Sequence, residues 1–555
     1  MRGAAPRAPM SVALSLFAIA ALAGIFTSPD YGIASDVGNY FASSLRQLAW
    51  ARDLGSAFLH GEPSRVLNEA AVFDAWRWLV VRIPHPPLSR ELGGLSWLAF
   101  RGVLDPLTAY RMAVLLVYAG LVGACGAVAT RATGSRLAGV AAGAAMLTTP
   151  ALFAYGHLAD TDLFLTAFWF FSLAALDAYL EDRRPWRLWA SGLWLGAALA
   201  TKFTGLLLLP VIGAWLLWRR ERNPRTPAVL AAAAVGVFLV VNPVMWVAPL
   251  TGLADYFGAG LGRATSEASQ ITTEYFGRIY AFRPPWHYPF VWTAVVVPLA
   301  WWLAIGWGVA WGARRHRLIA LTGLNAVVLY GVLMVPRTPL HDGIRLFLPV
   351  FPFLALAGGI GAWRIGAWLA ARVARRLGRT PRFVRTVALL ALIAGPTLRT
   401  IQTHPHQLSY FNALIGGVRG AERAGLEVTG LKEVVSPEVI RELRAAIPAG
   451  SVVAAGFMTE ELCFYRAVGE APRGWIVETE LEVPGRPAGA LGCEGPGSFA
   501  ALLRPRLARE PDYVFVLNRK GQFTSVEQAL TRFGGRPYYE LSLEGVPLFQ
   551  VYRVK

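Results

Sequence analysis

The sequence predicts a mainly α-helical protein that crosses a membrane many times and ends in an extracytoplasmic α/β domain. Three observations carry this expectation. Hydrophobic residues fill 55% of the 555 positions and charged residues only 16%, whereas soluble chains average about 25% charged; mean hydropathy is +0.43. Apolar runs that suit transmembrane helices recur from the N-terminal region to about residue 400. The basic residues behind the net charge of +18 lie mainly in short loops between those runs. That is the pattern of cytoplasmic loops rather than of a nucleic-acid surface.

The runs fall near 11–27, 109–130, 137–156, 161–180, 187–201, 203–218, 227–249, 288–312, 317–335, 345–370 and 383–400, about 11 membrane segments in all. Arg2 and Arg7 precede the first run, as in a signal peptide, but no small-x-small cleavage site ends it, so an uncleaved span is expected. The stretch 187–218 is too long for one span and is interrupted at Thr201-Lys202-Phe203-Thr204-Gly205, which predicts two half-length pieces folded back on each other. With the N-terminus inside, every strongly basic short loop then falls on the cytoplasmic side: Arg131 and Arg136; Arg183, Arg184 and Arg187; Arg219, Arg220, Arg222 and Arg225; Arg314, Arg315 and Arg317; Arg372 to Arg382. A single span over 187–218 would split these clusters between the two faces.

This topology divides the chain into a membrane domain, 1–402, with a large extracytoplasmic loop at 28–108, and an extracytoplasmic domain, 403–555. The large loop has amphipathic stretches at 36–54 and 88–103, expected to lie as helices along the membrane surface. A second outer loop spans 250–287. In the last domain, helical patterns at 436–447, 498–509 and 525–533 alternate with β-rich runs at Ser451–Ala455, Trp475–Val477, Tyr513–Leu517 and Leu548–Val551. Cys463 and Cys493 lie there and could pair outside the cell, while Cys125 sits in an apolar run as a core residue.

Few polar residues stand out. Asp36 follows the first span, with Tyr40 one helical turn on, so both project from one helix face. Asp160 and Asp162 open the span 161–180, with His157 just before them; capping is the plain role for one such carboxylate. Lys202 lies inside the apolar stretch 187–218, where a cation costs a few kcal/mol. Arg345 begins a span, after His341 and Asp342, and His85-Pro86-Pro87-Leu88 forms a rigid turn. All of these fall at the outer face in the charge-derived topology. Phosphate-loop, dinucleotide-binding and zinc-protease motifs are missing from the sequence, which argues against an energy-coupled pump. Glu460 and Glu461 sit in soluble helix-like patterns and read as a solvated face.

In order along residues 10–370, Asp36-x-x-x-Tyr40, His85-Pro86-Pro87-Leu88, Ala159-Asp160-Thr161-Asp162-Leu163, Gly196-x-x-x-Ala200-Thr201-Lys202-x-x-Gly205 and Arg345-x-x-x-Pro349-x-x-Pro352 resemble the GT-C glycosyltransferase superfamily. The likeness is to the branch holding protein O-mannosyltransferases and lipid A aminoarabinose transferases. His406-Gln407-x-x-Tyr410-Phe411-Asn412 and Gly416-Gly417 are similar to a segment after the last span of bacterial members. Where many relatives have Asp-Glu at the first acidic site, Val37 follows Asp36 here.

The resemblance implies transfer of a hexose or pentose from a polyprenyl-phosphate donor to a lipid, glycan or protein acceptor at the outer face of the cell inner membrane, with inversion. On that reading Asp36 is the base and Asp162, or Asp160, a second carboxylate. Lys202 and Arg345 hold the donor phosphate, and Tyr40, His85 and His157 shape the pocket. No metal or other cofactor is expected, and no nucleic-acid partner. The C-terminal domain would cover the cavity or select acceptor, the site signals lying before residue 370. A transporter or flippase of lipid-linked saccharides is the main alternative, and a non-catalytic scaffold the third.

Overall fold

The structure, a computed structural model, describes residues 7–77, 85–262, 271–312, 316–336, 338–374, 376, 378–478, 490–491, 503–504 and 510–554. Its helices in chain order are α1 Arg7–Thr27, α2 Val37–Leu59, α3 Glu69–Val72, α4 Leu88–Phe100, α5 Pro106–Thr133, α6 Arg136–Leu147, α7 Pro150–Tyr155, α8 Thr161–Asp182, α9 Pro185–Leu199, α10 Leu208–Trp218, α11 Arg225–Val240, α12 Val244–Val247 and α13 Pro249–Gly262. The strand pair β1 Thr273–Tyr275 and β2 Arg278–Tyr280 follows, then α14 Tyr288–Val296, α15 Leu299–Gly312, α16 Arg317–Met334, α17 Phe351–Val373 and α18 Pro381–Gln402.

Among the described residues, six helices are long and apolar enough to cross a membrane, or seven if α14 and α15 count as one. Shorter apolar helices cover Arg136–Leu147, Phe203–Trp218 and Arg225–Val240. Three of the expected apolar runs are broken or bent, each at a proline. The run 137–156 breaks before Pro150, 227–249 breaks before Pro243, and 288–312 turns through 115° at Val297-Pro298. Thr149 and Val297 both have extended backbone angles, as proline imposes on the residue before it. At the last bend Asn412 supplies the missing donors: its Nδ2 bonds Ala294 O and Val297 O, both at 2.7 Å, and its N bonds Val295 O at 2.7 Å. Gln407 is a second staple, accepting from Tyr31 Oη at 2.6 Å and donating to Thr400 O at 3.1 Å.

α8 and the Arg345–Val373 helix form the centre, each with 83% of its apolar window buried, whereas α1 and α18 lie at the periphery. α15 and α17 pack closely through small residues: a Cβ on Gly361 would stand 1.7 Å from Ala304 O. The stretch 187–218 does run out and back. Arg187 Nη1 donates to Ala178 O at 3.2 Å, Arg219 Nη1 donates to Asp177 Oδ1 at 2.7 Å, and Arg183 pairs with Glu221. Both ends therefore sit beside the C-terminal end of α8, while Lys202, in the break between α9 and the 3₁₀ turn Phe203–Leu207, meets the N-terminal end.

The C-terminal residues add α19 Gly417–Arg423, α20 Pro437–Ala446, β3 Val452–Ala454, α21 Thr459–Ala467, β4 Ile476–Glu478, β5 Ala490–Leu491, β6 Leu503–Arg504, β7 Tyr513–Leu517, α22 Ser525–Phe533, β8 Tyr539–Leu543 and β9 Val546–Arg553. Five strands form one mixed sheet in the order β4-β3-β7-β9-β8, with β3 parallel to β4 and β7 and the rest antiparallel. Of the helix expected at 498–509, Leu503–Arg504 is strand and the remainder lies outside the described residues. Cys463 is disulfide-bonded; Cys493 lies outside the described residues. Cys125 is a buried free thiol.

Candidate active site

The connection from α1 to α2 places Asp36. One residue holds it from below with three hydrogen bonds: Arg111 of α5, itself buried, donates to Ser28 O at 3.1 Å, to Tyr31 O at 2.9 Å and to Gly32 O. From above, Gly32 N bonds Glu433 O at 3.0 Å, Ser35 N bonds Leu431 O at 2.8 Å, and Ile33 N bonds Tyr465 Oη at 2.9 Å. Glycine is required at 32, since a Cβ there would lie 2.2 Å from Glu433 O. Asp36 ends this run with φ of 69°, a region non-glycine residues enter at a cost. It stands at the N-cap of α2 but its side chain makes no capping bond. The carboxylate is left in a cleft lined by Ile33, Gly38, Asn39, Glu460 and Glu461.

Asp160 and Asp162 have separate tasks. Asp160 Oδ1 accepts from Asp162 N at 2.9 Å and caps α8; its Oδ2 is buried with no hydrogen-bond partner among the described residues. Asp162 accepts from Lys202 Nζ on Oδ1 and from Arg345 Nε, at 2.6 Å, on Oδ2. Arg345 continues through Nη1 to Asp342 Oδ2 at 3.1 Å and through Nη2 to Asp36 Oδ2 at 3.5 Å. One buried guanidinium thus touches the carboxylates of Asp36, Asp162 and Asp342. Charge-assisted bonds of this kind are the strong ones, and a guanidinium fork fixes direction as well as energy.

Tyr40 is buried on α2 with its ring 6.4 Å from that of His85. The His85-Pro86-Pro87-Leu88 turn rests on the break that carries Lys202, since Leu88 N bonds Ala200 O at 3.1 Å. His157 is placed differently from the other expected residues. Its ring stacks on Tyr31 at 4.2 Å, Nδ1 contacts Phe153 O and Nε2 contacts Thr27 Oγ1, both at 2.8 Å. Both nitrogens are occupied there, between α1 and α7.

Two readings of the C-terminal residues need correction. Glu461 is not on a solvated face: it is 3% exposed and accepts from Lys432 Nζ at 2.9 and 3.1 Å. Glu460 accepts from Asn39 Nδ2 at 3.2 Å, one residue past the cleft's Gly38. Nor do the polar groups of the cluster all lie before residue 370. Arg519, after β7, is buried and donates to Asp342 Oδ1 and to Gly430 O, the latter at 2.5 Å. Glu427 Oε2 lies 3.9 Å from Arg519 Nε, and Glu427 Oε1 accepts from Glu274 N at 3.1 Å. Burial tends to raise the Asp342 carboxyl, but Arg519, His341 and Arg345 together hold it well below the usual range. Burial pushes Glu427 and Glu433 up to about 7. In the sequence these side chains look like ordinary surface polar residues; only the tertiary fold buries them.

Residues 95–246 match the family described as dolichyl-phosphate-mannose-protein mannosyltransferase. The structure superposes on ArnT from Cupriavidus metallidurans in the apo state with a TM-score of 0.51, at 16% identity over 97% of each chain. ArnT from the same organism bound to undecaprenyl phosphate matches at TM-score 0.49, with the same identity and coverage. No curated protein matches the sequence. The chain shares its fold with ArnT, and among its described residues six or seven helices are long and apolar enough to cross a membrane.

Proposed function

We propose that this chain transfers a sugar from a polyprenyl-phosphate donor to an acceptor hydroxyl, at the outer face of the inner membrane, with inversion at the anomeric carbon. The observation that carries this reading is the bridge Asp36–Arg345–Asp162–Lys202, a base candidate and two cations gathered at one end of the membrane helices. The match of residues 95–246 to a family named for a polyprenyl-phosphate-type donor supports the donor class.

Each group then has one task. The Asp36 carboxylate takes the proton of the acceptor hydroxyl as its oxygen attacks the anomeric carbon. The bond from that carbon to the phosphate oxygen breaks on the opposite side, and the electron pair leaves with the lipid phosphate. Lys202 and Arg345 stabilise that developing charge. Asp162 holds both cations in place while they await it, and Asp160 caps the helix that presents Asp162. Tyr40 and His85 line the side toward the first outer loop. The C-terminal sheet domain, proposed to lie outside the cytoplasm with the loop 28–108, closes over Asp36 through Glu433, Leu431 and Tyr465.

The test uses the purified full chain in lipid nanodiscs and a panel of polyprenyl-phosphate sugars. Wild type should release polyprenyl phosphate in the presence of acceptor. Asp36→Asn should lose turnover by about 10²–10⁴-fold, the usual worth of a general base, with donor binding retained. Transfer by Asp36→Asn at the wild-type rate would remove the base assignment. Movement of a lipid-linked saccharide between leaflets without any transfer would favour the transporter instead.

A further inference from the structure

We infer that Arg519 is a positioning residue for the donor-phosphate site, acting through Asp342 on Arg345. This deepens the proposed function and rests on it.

Asp342 is a shared anion. Its Oδ2 accepts from Arg345 Nη1 at 3.1 Å, with His341 Nδ1 at 2.9 Å, and its Oδ1 accepts from Arg519 Nη2. The backbone there is held in place as well: Asp342 has φ of 57°, and Gly343 N bonds Tyr288 Oη at 2.9 Å. Arg519 is in turn anchored by Gly430 O at 2.5 Å. All three charged side chains are at most 7% exposed, so water screens little of their interaction.

The charge count gives Arg519 its task. Asp36, Asp162 and Asp342 face Lys202, Arg345 and Arg519 in one continuous chain of contacts, three carboxylates against three cations. Glu427, pushed up to about 7 by burial, is only partly ionised near neutrality and leans the cluster further toward negative charge once Arg519 is removed. Removing Arg519 leaves Asp342 with Arg345 as its remaining arginine partner. Asp342 then draws Arg345 away from Asp36 and Asp162, and the cluster becomes net negative before any phosphate arrives. A buried carboxylate deprived of its partner is costly, and here that cost falls on the site's arginine. Arg519 belongs to the sheet domain and Arg345 to the membrane helices, so the sheet domain sets the donor site without touching donor.

Binding of a polyprenyl monophosphate to the full chain in nanodiscs tests this, alongside donor KM and acceptor KM in turnover. Wild type is measured first. Arg519→Met should weaken monophosphate binding and raise donor KM by about 10-fold or more, a typical coupling between linked sites, with acceptor KM little changed. Asp342→Asn placed in the Arg519→Met chain removes the stranded charge and should recover most of the binding; a merely structural role for Arg519 would give no such rescue. Should Arg519→Met fail to fold, Arg519→Lys keeps the charge without the fork, and its donor binding should lie between the two. Wild-type binding by Arg519→Met, or by Arg519→Lys where that variant stands in for it, overturns the inference while leaving the proposed function standing, as does a double variant as weak as the single one. If wild type binds no polyprenyl phosphate, both fall.

Discussion

α8 has a buried aspartate near each end, and the two are used in opposite ways. Asp177 meets Arg219 at 2.7 Å, Arg317 at 3.0 Å and Arg131 at 4.0 Å. Asp162 meets Lys202 and, at 2.6 Å, Arg345. Both carboxylates are 1–2% exposed. The cations differ: those around Asp177 are 20–30% exposed, those around Asp162 only 4–7%. At the Asp177 end, arginines at the ends of α5, α10 and α16 tie the helices together and can still reach water. At the Asp162 end, the cations have no such outlet and are held against a carboxylate that lies beside Asp36. On the proposed function, the first cluster ties helix ends together and the second holds its cations for the donor phosphate.

The sharpest way to break this comparison is to neutralise each aspartate in turn. Asp162→Asn should lower kcat/KM by about 10²–10³-fold, the scale of losing a preorganised electrostatic group, since Lys202 and Arg345 lose their common anchor. Asp177→Asn should leave kcat/KM near wild type and lower stability by about 1–3 kcal/mol, read by thermal unfolding in detergent. Equal activity losses in the two variants would erase the distinction. Next in size, Lys202→Met should raise donor KM about tenfold, whereas Arg219→Met should not; charge-assisted bonds to phosphate set that scale.

A smaller effect concerns pH. Glu433 is raised to about 7 from an ordinary value of 4.5, chiefly by burial. Its contribution to stability is therefore fully present below about pH 4.5 and is lost as pH rises through about 7. Glu433→Gln should flatten the fall in melting temperature across that window. An unchanged slope would show that Glu433 is ionised in the fold. A change with no effect on turnover sharpens which end faces which compartment: Glu540→Cys and Arg222→Cys, both at exposed positions, should differ in whole cells. Only the first should take up a membrane-impermeant maleimide.

Much of the helical framework was legible because membrane spans have one dominant requirement, a long apolar run. The out-and-back course of 187–218 followed from Lys202, Gly205 and the basic flanks. The breaks at Pro150, Pro243 and Pro298 were readable too, but averaged hydropathy does not register a missing N–H. Within the candidate site, Asp162, Lys202 and Arg345 could be singled out because charge is rare in or beside an apolar run, and Asp36 because it falls at the same outer face with Tyr40 one helical turn on. Arg519, Glu427, Glu433, Lys432 and Glu461 could not, since polar residues are ordinary in a domain that faces water and nothing local foretells their burial. His157, marked as a further polar group beside Asp160, has its ring stacked on Tyr31.

The contacts of Gly32 and Ser35 with Glu433 and Leu431 join the beginning of the chain to a segment about 400 residues later. During synthesis at about 5–20 residues per second, Asp36 reaches the membrane on the order of half a minute before residues 431–435 and 519 exist. Until then the turn that bears Asp36 has Arg111 beneath it and nothing above, and Asp342 has no Arg519. A growing chain therefore holds every apolar helix of the fold but not the finished ion cluster. The cluster is completed only after Arg519 follows strand β7 out, so on the proposed function a chain stalled before that point would sit in the membrane as an inactive bundle.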